Sequence, residues 1–222
     1  QIIHDICLQN LQVILALGAT PVFAESHEET LLLDISDVEK RLTPKTKAVM
    51  PVHFCGSSCD MDLLMALEKK YGFKVIADAA HAFGSDYKGK KVGVQGDAVC
   101  FSFDPIKNIT TGEGGAVVLA DDAVAEDIRR MRILGIDKDT WHRYKNTRTY
   151  FYEVVSPGFR YHMPNYCAAI GLEQLKKFPE VLEVHNVAGE DCYLVKVRVT
   201  DVTALRDFLH DKVSTIGSVV ST

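Results

Sequence analysis

The chain reads as an α/β protein built on a mostly parallel sheet flanked by helices. Two patterns lead to that reading. Continuous apolar runs recur at Lys47–Phe54 (KAVMPVHF), Lys74–Ala77 (KVIA), Ala98–Phe103 (AVCFSF) and Gly115–Ala120 (GAVVLA). Runs without polar alternation mark strands covered on both faces. Stretches of helical length lie between and around them, so strand and helix alternate from about Val13 to Gly135. That alternation is the signature of successive βαβ units.

The remaining elements follow in order. Val13–Gly18 is ambiguous and fits the end of a helix; Pro21–Ala24 fits a short strand and Ser36–Leu42 a helix. Asp60–Tyr71 is predicted helical. Asp60 stands at the N-cap, Met61, Leu64, Met65 and Leu67 lie toward one side, and Gly72 supplies the stop. A further helix is expected near Asp122–Leu134. Lys138–Pro157 is polar and aromatic without a period, which predicts a long loop. Ala168–Phe178 is helical in pattern, Cys192–Val199 (CYLVKVRV) alternates like a half-exposed strand, and Val202–Leu209 fits a helix. The change of character near Phe178-Pro179 divides the chain into a large domain, 1–178, and a smaller α+β piece, 179–222.

Composition narrows the function classes. With 222 residues there is room for one or two domains and a real core. Hydrophobic residues make up 47% and charged residues 25%, which argues against disorder and against a disulfide-dense mini-protein. A net charge of −5 and a pI near 5.9 argue against nucleic-acid binding through a basic face. No apolar run approaches the ~18 residues of a membrane span, and the N-terminus lacks the pattern of a signal peptide. There is no initiator Met, so the chain is expected to begin inside a larger product. Cysteines stand at 7, 55, 59, 100, 167 and 192. Scattered in this way, they are expected as small core residues in a reducing compartment, which predicts a cytoplasmic protein.

Ligands of open α/β sheets bind at the carboxyl ends of the strands. That rule directs attention to His53–Gly56, Asp78–His81 and Asp104–Gly115. Asp78 closes a buried apolar strand, where a carboxylate is costly unless it is paired or accepts hydrogen bonds. One use for it is to hold a cationic heterocyclic nitrogen; a helix cap or loop carboxylate is the plain alternative. His81 follows three residues later, where it faces the same site if a turn intervenes. Lys107 lies between a buried strand and the glycine-rich Gly112-Glu-Gly-Gly. An amine near buried surroundings suits Schiff-base chemistry, whereas most lysines are simply solvated. Ser102 and the loop amides offer phosphate donors.

Three other patterns carry less. Gly84–Lys90 fits G-x-x-x-x-G-K, but Lys91 follows where a P-loop needs Ser or Thr. Gly112-Glu-Gly-Gly lacks the third glycine of a dinucleotide fingerprint and leads into a strand. His53, Cys55 and Cys59 have no matching fourth ligand nearby, so no metal site is predicted.

Taken together, the chain resembles the DegT/DnrJ/EryC1 family of pyridoxal-phosphate sugar aminotransferases. The resemblance runs from Leu17-Gly-Ala-Thr-Pro-Val-Phe-Ala-Glu through Thr43–Gly56 (TPKTKAVMPVHFCG) and Asp60-Met. It continues through Ala77–Ser85 (ADAAHAFGS), Tyr87-Lys-Gly-Lys, and Phe101-Ser-Phe with Lys107–Gly115 (KNITTGEGG). It closes with Gly158–Met163 (GFRYHM) and Ala168–Leu175 (AAIGLEQL). It implies an aspartate-aminotransferase-type fold (fold type I), a homodimer with shared active sites, and a small domain at the C-terminus, of which this chain holds only part.

The resemblance also implies roles. Lys107 matches the lysine that forms the Schiff base with pyridoxal 5'-phosphate, Asp78 the carboxylate on the pyridinium nitrogen, His81 the residue beside the ring, and Ser102 a phosphate hydroxyl. Relatives that act as sugar dehydratases carry His at the lysine position, so Lys107 implies transamination, with glutamate as donor and a nucleotide-linked keto-sugar as acceptor. In the G-x-N-x-R-M motif that binds phosphate from the partner subunit, this chain has Arg160 at the Asn position and His162 at the Arg position. A guanidinium at 160 still suits a phosphate. Gln1–Gln9 does not match the strand expected before Asn10, and the chain is expected to be incomplete at both ends. An inert fragment that retains the fold and a dimer surface is the alternative reading.

Overall fold

A computed structural model describes residues 1–4, 8–136, 153–176, 181–186 and 193–197 of the chain. These residues fall into two compact units, Gln1–Ala120 and Asp121–Arg198.

The first unit is the predicted sheet. Its strands are β1 (Ile2–His4), β2 (Pro21–Phe23), β3 (Ala48–Met50), β4 (Lys74–Asp78), β7 (Ala98–Ser102) and β8 (Gly115–Leu119), in the order β2-β1-β3-β4-β7-β8. All neighbours are parallel except β7 and β8, which are antiparallel. The connections explain the difference. Helices α1 (Leu8–Ala16), α2 (Ile35–Arg41) and α3 (Met61–Tyr71) lie between the successive parallel strands β1, β2, β3 and β4, as crossovers require. No helix separates β7 from β8, so the chain folds straight back.

One N-terminal expectation is corrected. Ile2–His4 is a strand, and it pairs with β2 on one side and β3 on the other. Ile3 and His4 are fully buried there. Three residues are too short to show a period, which is why the sequence concealed the strand. The segment read as the end of a helix is the latter half of α1, which begins at Leu8. The strand expected over Lys47–Phe54 keeps its regular pairing over Ala48–Met50; a single bridge from Val52 to Asp78 and a 3₁₀ turn at Phe54–Gly56 follow.

The helix ends are where capping chemistry places them. Asp34 accepts from the Ser36 and Asp37 amides at the start of α2. Asp60 accepts from the Leu63 amide at 3.1 Å, and Tyr87 donates its hydroxyl to the same oxygen at 2.9 Å. These bonds, the Leu63 amide foremost, hold the Asp60 carboxyl below its ordinary pKa. Gly72 ends α3 at φ 76°, where a residue with a Cβ is disfavoured. Asp60→Ala is expected to cost about 1 kcal/mol in urea denaturation, the usual worth of an N-cap.

The core of this unit joins Ile3, Leu33, Ile35, Val38, Val49, Cys59, Met61, Leu64, Phe73 and Val75, so α2 and α3 pack with the middle strands. Of the described cysteines, Cys59 and Cys167 are buried as expected, whereas Cys55 is exposed. The G-x-x-x-x-G-K stretch is a hairpin of β5 (Asp86–Tyr87) and β6 (Lys90–Lys91), turned through Lys88 and Gly89 at φ 51° and 78°. Two positive φ values in a two-residue loop give a tight hairpin turn, and no helix follows to cradle a phosphate.

The second unit contains α4 (Asp122–Met131), α5 (Asn165–Leu175) and an antiparallel pair, β9 (Val181–Asn186) and β10 (Tyr193–Val197). Asp121 caps α4 through the Ala123 and Val124 amides. The strand predicted over Cys192–Val199 is β10, and β9 is an addition to the sequence reading. The expected loop over Lys138–Pro157 lies largely outside the described residues, as does the helix expected over Val202–Leu209. Among the described residues, no helix is long and apolar enough to cross a membrane.

Candidate active site

Three segments meet at the carboxyl edge of β4 and β7. Asp78 is the last residue of β4, and it pairs across the sheet with Cys100 of β7; Ser102 ends β7 two residues further on. Asp78 Oδ1 accepts the Ala80 amide at 3.0 Å, which turns the chain off the strand toward His81. The Ala79 amide donates to the Cys100 carbonyl at 2.8 Å, so this departure stays tied to β7.

The aromatic residues hold the next layer. Phe83 meets Phe101 and Phe103 edge-on, with ring centroids 5.4 and 5.6 Å apart. This is the favoured geometry for aromatic pairs. Asn108 donates its side-chain amide to the Phe83 carbonyl. That bond joins the loop carrying Lys107 to the segment carrying Asp78 and His81. Within the loop, the Lys107 amide donates to Asp104 O at 3.0 Å, the Thr111 amide to Phe103 O at 3.0 Å, and the Thr110 hydroxyl to Phe103 O at 3.1 Å. Lys107 itself is half-buried, and among the described residues no carboxylate lies within ion-pair distance of its amine. Ser102 Oγ accepts the Asp104 amide at 3.4 Å.

Gly115, across from Ser102, permits this strand pairing. A Cβ there would lie 2.5 Å from the Phe101 carbonyl oxygen.

The opposite side of Asp78 is formed by the turn after β3. The Asp78 amide donates to Pro51 O and the His53 amide to Asp78 O, at 2.8 and 2.9 Å. His81, exposed, accepts the Cys55 amide at Nδ1 over 3.4 Å, and its ring meets Phe54 edge-on at 5.9 Å.

The electrostatics centre on Asp78. Burial lowers the pKa of His53 to about 4, although the Asp78 carboxylate favours its protonation. Burial also raises the Cys100 thiol to about 11, and the Asp78 charge pushes the same way. Near neutral pH both neighbours are therefore uncharged and do not offset the Asp78 carboxylate.

The His53 shift makes stability depend on pH. Between pH 4 and 6.5 the unfolded chain binds a proton at this residue that the folded chain refuses, so stability rises with pH across that window. The amplitude is about 3 kcal/mol, taken from the gap between the two pKa values. Urea denaturation from pH 4 to 7.5 is expected to show this slope in the wild type and not in His53→Asn.

The sequence-predicted residues Asp78, His81, Ser102 and Lys107 thus lie on the strand ends and loops of one unit. Arg160 belongs to the second unit, where it is exposed and bridges to Ile133. Sequence reasoning missed Asn108 and the aromatic trio. Their signal, a phenylalanine on each side of the Asp78 and Ser102 segments, is too common to single out. His53 was noticed only as a failed metal ligand.

An open, mostly parallel sheet with a carboxylate, a serine and a loop lysine at its carboxyl edge defines a protein of the fold-type I aminotransferase class. The comparisons narrow that class: the chain belongs to the DegT/DnrJ/EryC1/StrS aminotransferase family, which matches over residues 9–193. A second match, to the Lrp/AsnC ligand binding domain, covers residues 169–222. Among curated relatives, the spore coat polysaccharide biosynthesis protein SpsC of Bacillus subtilis is 45% identical over 168 residues, or 76% of this chain and 43% of SpsC. Among solved structures, Spr1654 of Streptococcus pneumoniae, a candidate sugar aminotransferase in its PLP form, superposes with a TM-score of 0.71 at 30% identity. That match covers 81% of this chain and 49% of Spr1654. DesI, solved in the presence of its TDP-sugar product, gives 0.68 at 34% identity over 81% of this chain and 43% of DesI. The chain therefore spans less than half the length of these relatives.

The residues present fit pyridoxal phosphate, the cofactor of this family. An anionic oxygen suits a pyridinium nitrogen, and the two titratable neighbours of Asp78 are neutral. A lysine amine and a serine hydroxyl stand on the same sheet edge.

Proposed function

We propose that the chain is the catalytic sheet of a PLP-dependent aminotransferase that moves an amino group from glutamate to a nucleotide-linked keto-sugar. The observation that supports this reading is that Asp78 and Ser102 end the paired strands β4 and β7, with His81 and Lys107 on the segments that follow them. When bound, the cofactor supplies an electron sink that stabilises negative charge at the substrate carbon. The residues do the rest. Asp78 keeps a proton on the ring nitrogen, because an anion beside that nitrogen raises its basicity. Lys107 would hold the cofactor through its amine, and the same amine would move a proton at the substrate carbon. His81 and Ser102 would help to hold the cofactor, Ser102 as a hydroxyl donor to its phosphate. Arg160 is assigned to a phosphate in a homodimer with shared sites, where a guanidinium offers a charged, forked donor.

The names of the relatives support a sugar acceptor, and the TDP-sugar product of DesI supports a nucleotide-linked one. The inert-fragment alternative is less favoured, because every residue assigned to the chemistry lies within the family match. The test is absorbance titration of the purified chain with pyridoxal phosphate, then borohydride reduction and peptide mass mapping. A visible band with the pyridoxyl label on Lys107 is expected. No band, or label scattered over surface lysines, would favour the inert fragment.

For the C-terminal residues we propose a second role. The domain reading is 1–178 for the cofactor and 179–222 as a separate piece. The match of residues 169–222 favours a small-ligand module over a partial aminotransferase domain. A thermal-shift screen of metabolites against the full chain and a chain ending at Phe178 tests it. A ligand that stabilises only the full chain is expected, and no such ligand would restore the partial-domain reading.

A further inference from the structure

The turn between β3 and α3 is an unusual piece of backbone. Cys55 adopts φ 51° and ψ 26° without being glycine, and Gly56 follows at φ 84°. A left-handed residue that carries a Cβ costs energy, and the strain at Cys55 persists only where the surroundings over-determine it. The outer part of this turn touches His81 three ways. The Cys55 amide donates to its ring, the Phe54 ring meets its edge, and Gly56 lies so close that a Cβ would sit 3.3 Å from the His81 carbonyl oxygen.

The base of the turn is closed by His53, which is 2% exposed. Its Nδ1 accepts the Cys59 amide at 3.3 Å, across six residues. The Cys59 thiol donates to Val52 O at 3.2 Å beside it. The His53 amide meanwhile donates to Asp78 O. One residue thus grips the strand end that carries Asp78 and the turn that carries the donor to His81.

We propose that His53 is a positioning residue: its imidazole Nδ1 clamps the 53–59 turn and so sets Asp78 and His81 in fixed relation. Burial keeps the ring neutral down to pH about 4. The acceptor lone pair is therefore present throughout the neutral range, and the ring proton sits on Nε2. A protonated ring would carry a hydrogen on Nδ1 and repel the Cys59 amide. The groups that bear on the imidazole are Asp78 from β4 and Cys59 from the turn itself.

The chemical consequence rests on the aminotransferase reading, whereas the clamp does not. The experiment therefore reads both. Asparagine keeps an acceptor at the position of Nδ1, one bond beyond Cγ; glutamine moves it one carbon further out; leucine removes it. Amide hydrogen exchange is measured on the chain without cofactor, and pyridoxal phosphate is titrated into the same samples. In His53→Leu the Cys55 and Cys59 amides are expected to exchange at least tenfold faster. Cofactor affinity is expected to fall about tenfold, with wild-type behaviour restored in His53→Asn. Unchanged exchange at both amides in a folded His53→Leu would overturn the clamp. If the leucine variant fails to fold, the Asn and Gln variants decide: equal exchange in both overturns the proposal, and protection in Asn alone supports it. If the wild type takes up no cofactor, the functional reading fails while the exchange data still judge His53.

Discussion

Lys107→Ala is expected to eliminate covalent capture of pyridoxal phosphate and to lower any aminotransferase turnover on the order of a thousandfold or more, the range lost with a nucleophile that also transfers protons. The framework of its loop does not depend on the side chain. The Lys107 amide donates to Asp104, Asn108 donates to Phe83, and Thr110 and Thr111 bond Phe103. Substitutions away from packing or buried polar networks usually change stability by no more than about 0.5 kcal/mol. The melting curve is therefore expected to stay in place while the borohydride-trapped label disappears. Asp78→Asn makes the complementary case. It keeps the size and the bond from Ala80 but removes the charge, so the label should persist while turnover falls. A Lys107→Ala protein that still retains the label at full stoichiometry would show that another lysine carries the chemistry.

The second large effect concerns architecture rather than chemistry. Gly158→Ala is expected to destabilise the second unit by more than about 4 kcal/mol, at the far end of the range for single substitutions. A Cβ at 158 would lie 2.1 Å from the Gly135 amide nitrogen, 2.5 Å from the Leu134 carbonyl carbon and 2.7 Å from the Met131 carbonyl oxygen. All three are backbone atoms, so no rotamer change relieves the clash. The segment is fastened to the end of α4 on both sides of that contact. Phe159 N donates to Met131 O at 2.7 Å, Leu134 N to Phe159 O at 2.9 Å, and Tyr161 N to Arg132 O at 2.9 Å. Arg160 lies within this braid, and loosening it would release the side chain assigned to phosphate. Gly135→Ala should behave alike, with its Cβ 1.8 Å from Ser156 O and a φ of +68°. Gly72→Ala is the control: nothing lies within 4 Å of its Cβ, so only the left-handed backbone is penalised, by roughly 1–2 kcal/mol. Hydrogen exchange at Phe159 and Tyr161 separates the cases, with protection lost in the first two variants and kept in the control.

These predictions mark different depths of legibility. Asp34, Asp60 and Asp121 cap helices through amides two or three residues ahead. Capping is local chemistry and is therefore written locally. The apolar runs at Ala48–Met50, Lys74–Asp78, Ala98–Ser102 and Gly115–Leu119 became strands for the same reason. A carboxylate ending one such run and a lysine following another were legible because polar groups are conspicuous where a buried strand stops. The grip of His53 on Cys59, by contrast, looked like a failed metal motif, because the sequence shows the spacing of two residues but not the turn that brings them together.

The sequence by itself determined the α/β alternation, the helix ends, the segment that bears Asp78, His81, Ser102 and Lys107, and the family resemblance, all of which depend on residue types within a few positions of one another. The tertiary structure alone decided that Ile2–His4 lies inside the sheet, that β8 runs against β7, that His53 closes a strained turn against Asp78 and His81, and that Gly135 and Gly158 must lack a side chain. Each of those is a contact between backbone segments distant along the chain, and an amide or carbonyl carries no residue-specific mark until folding places something against it.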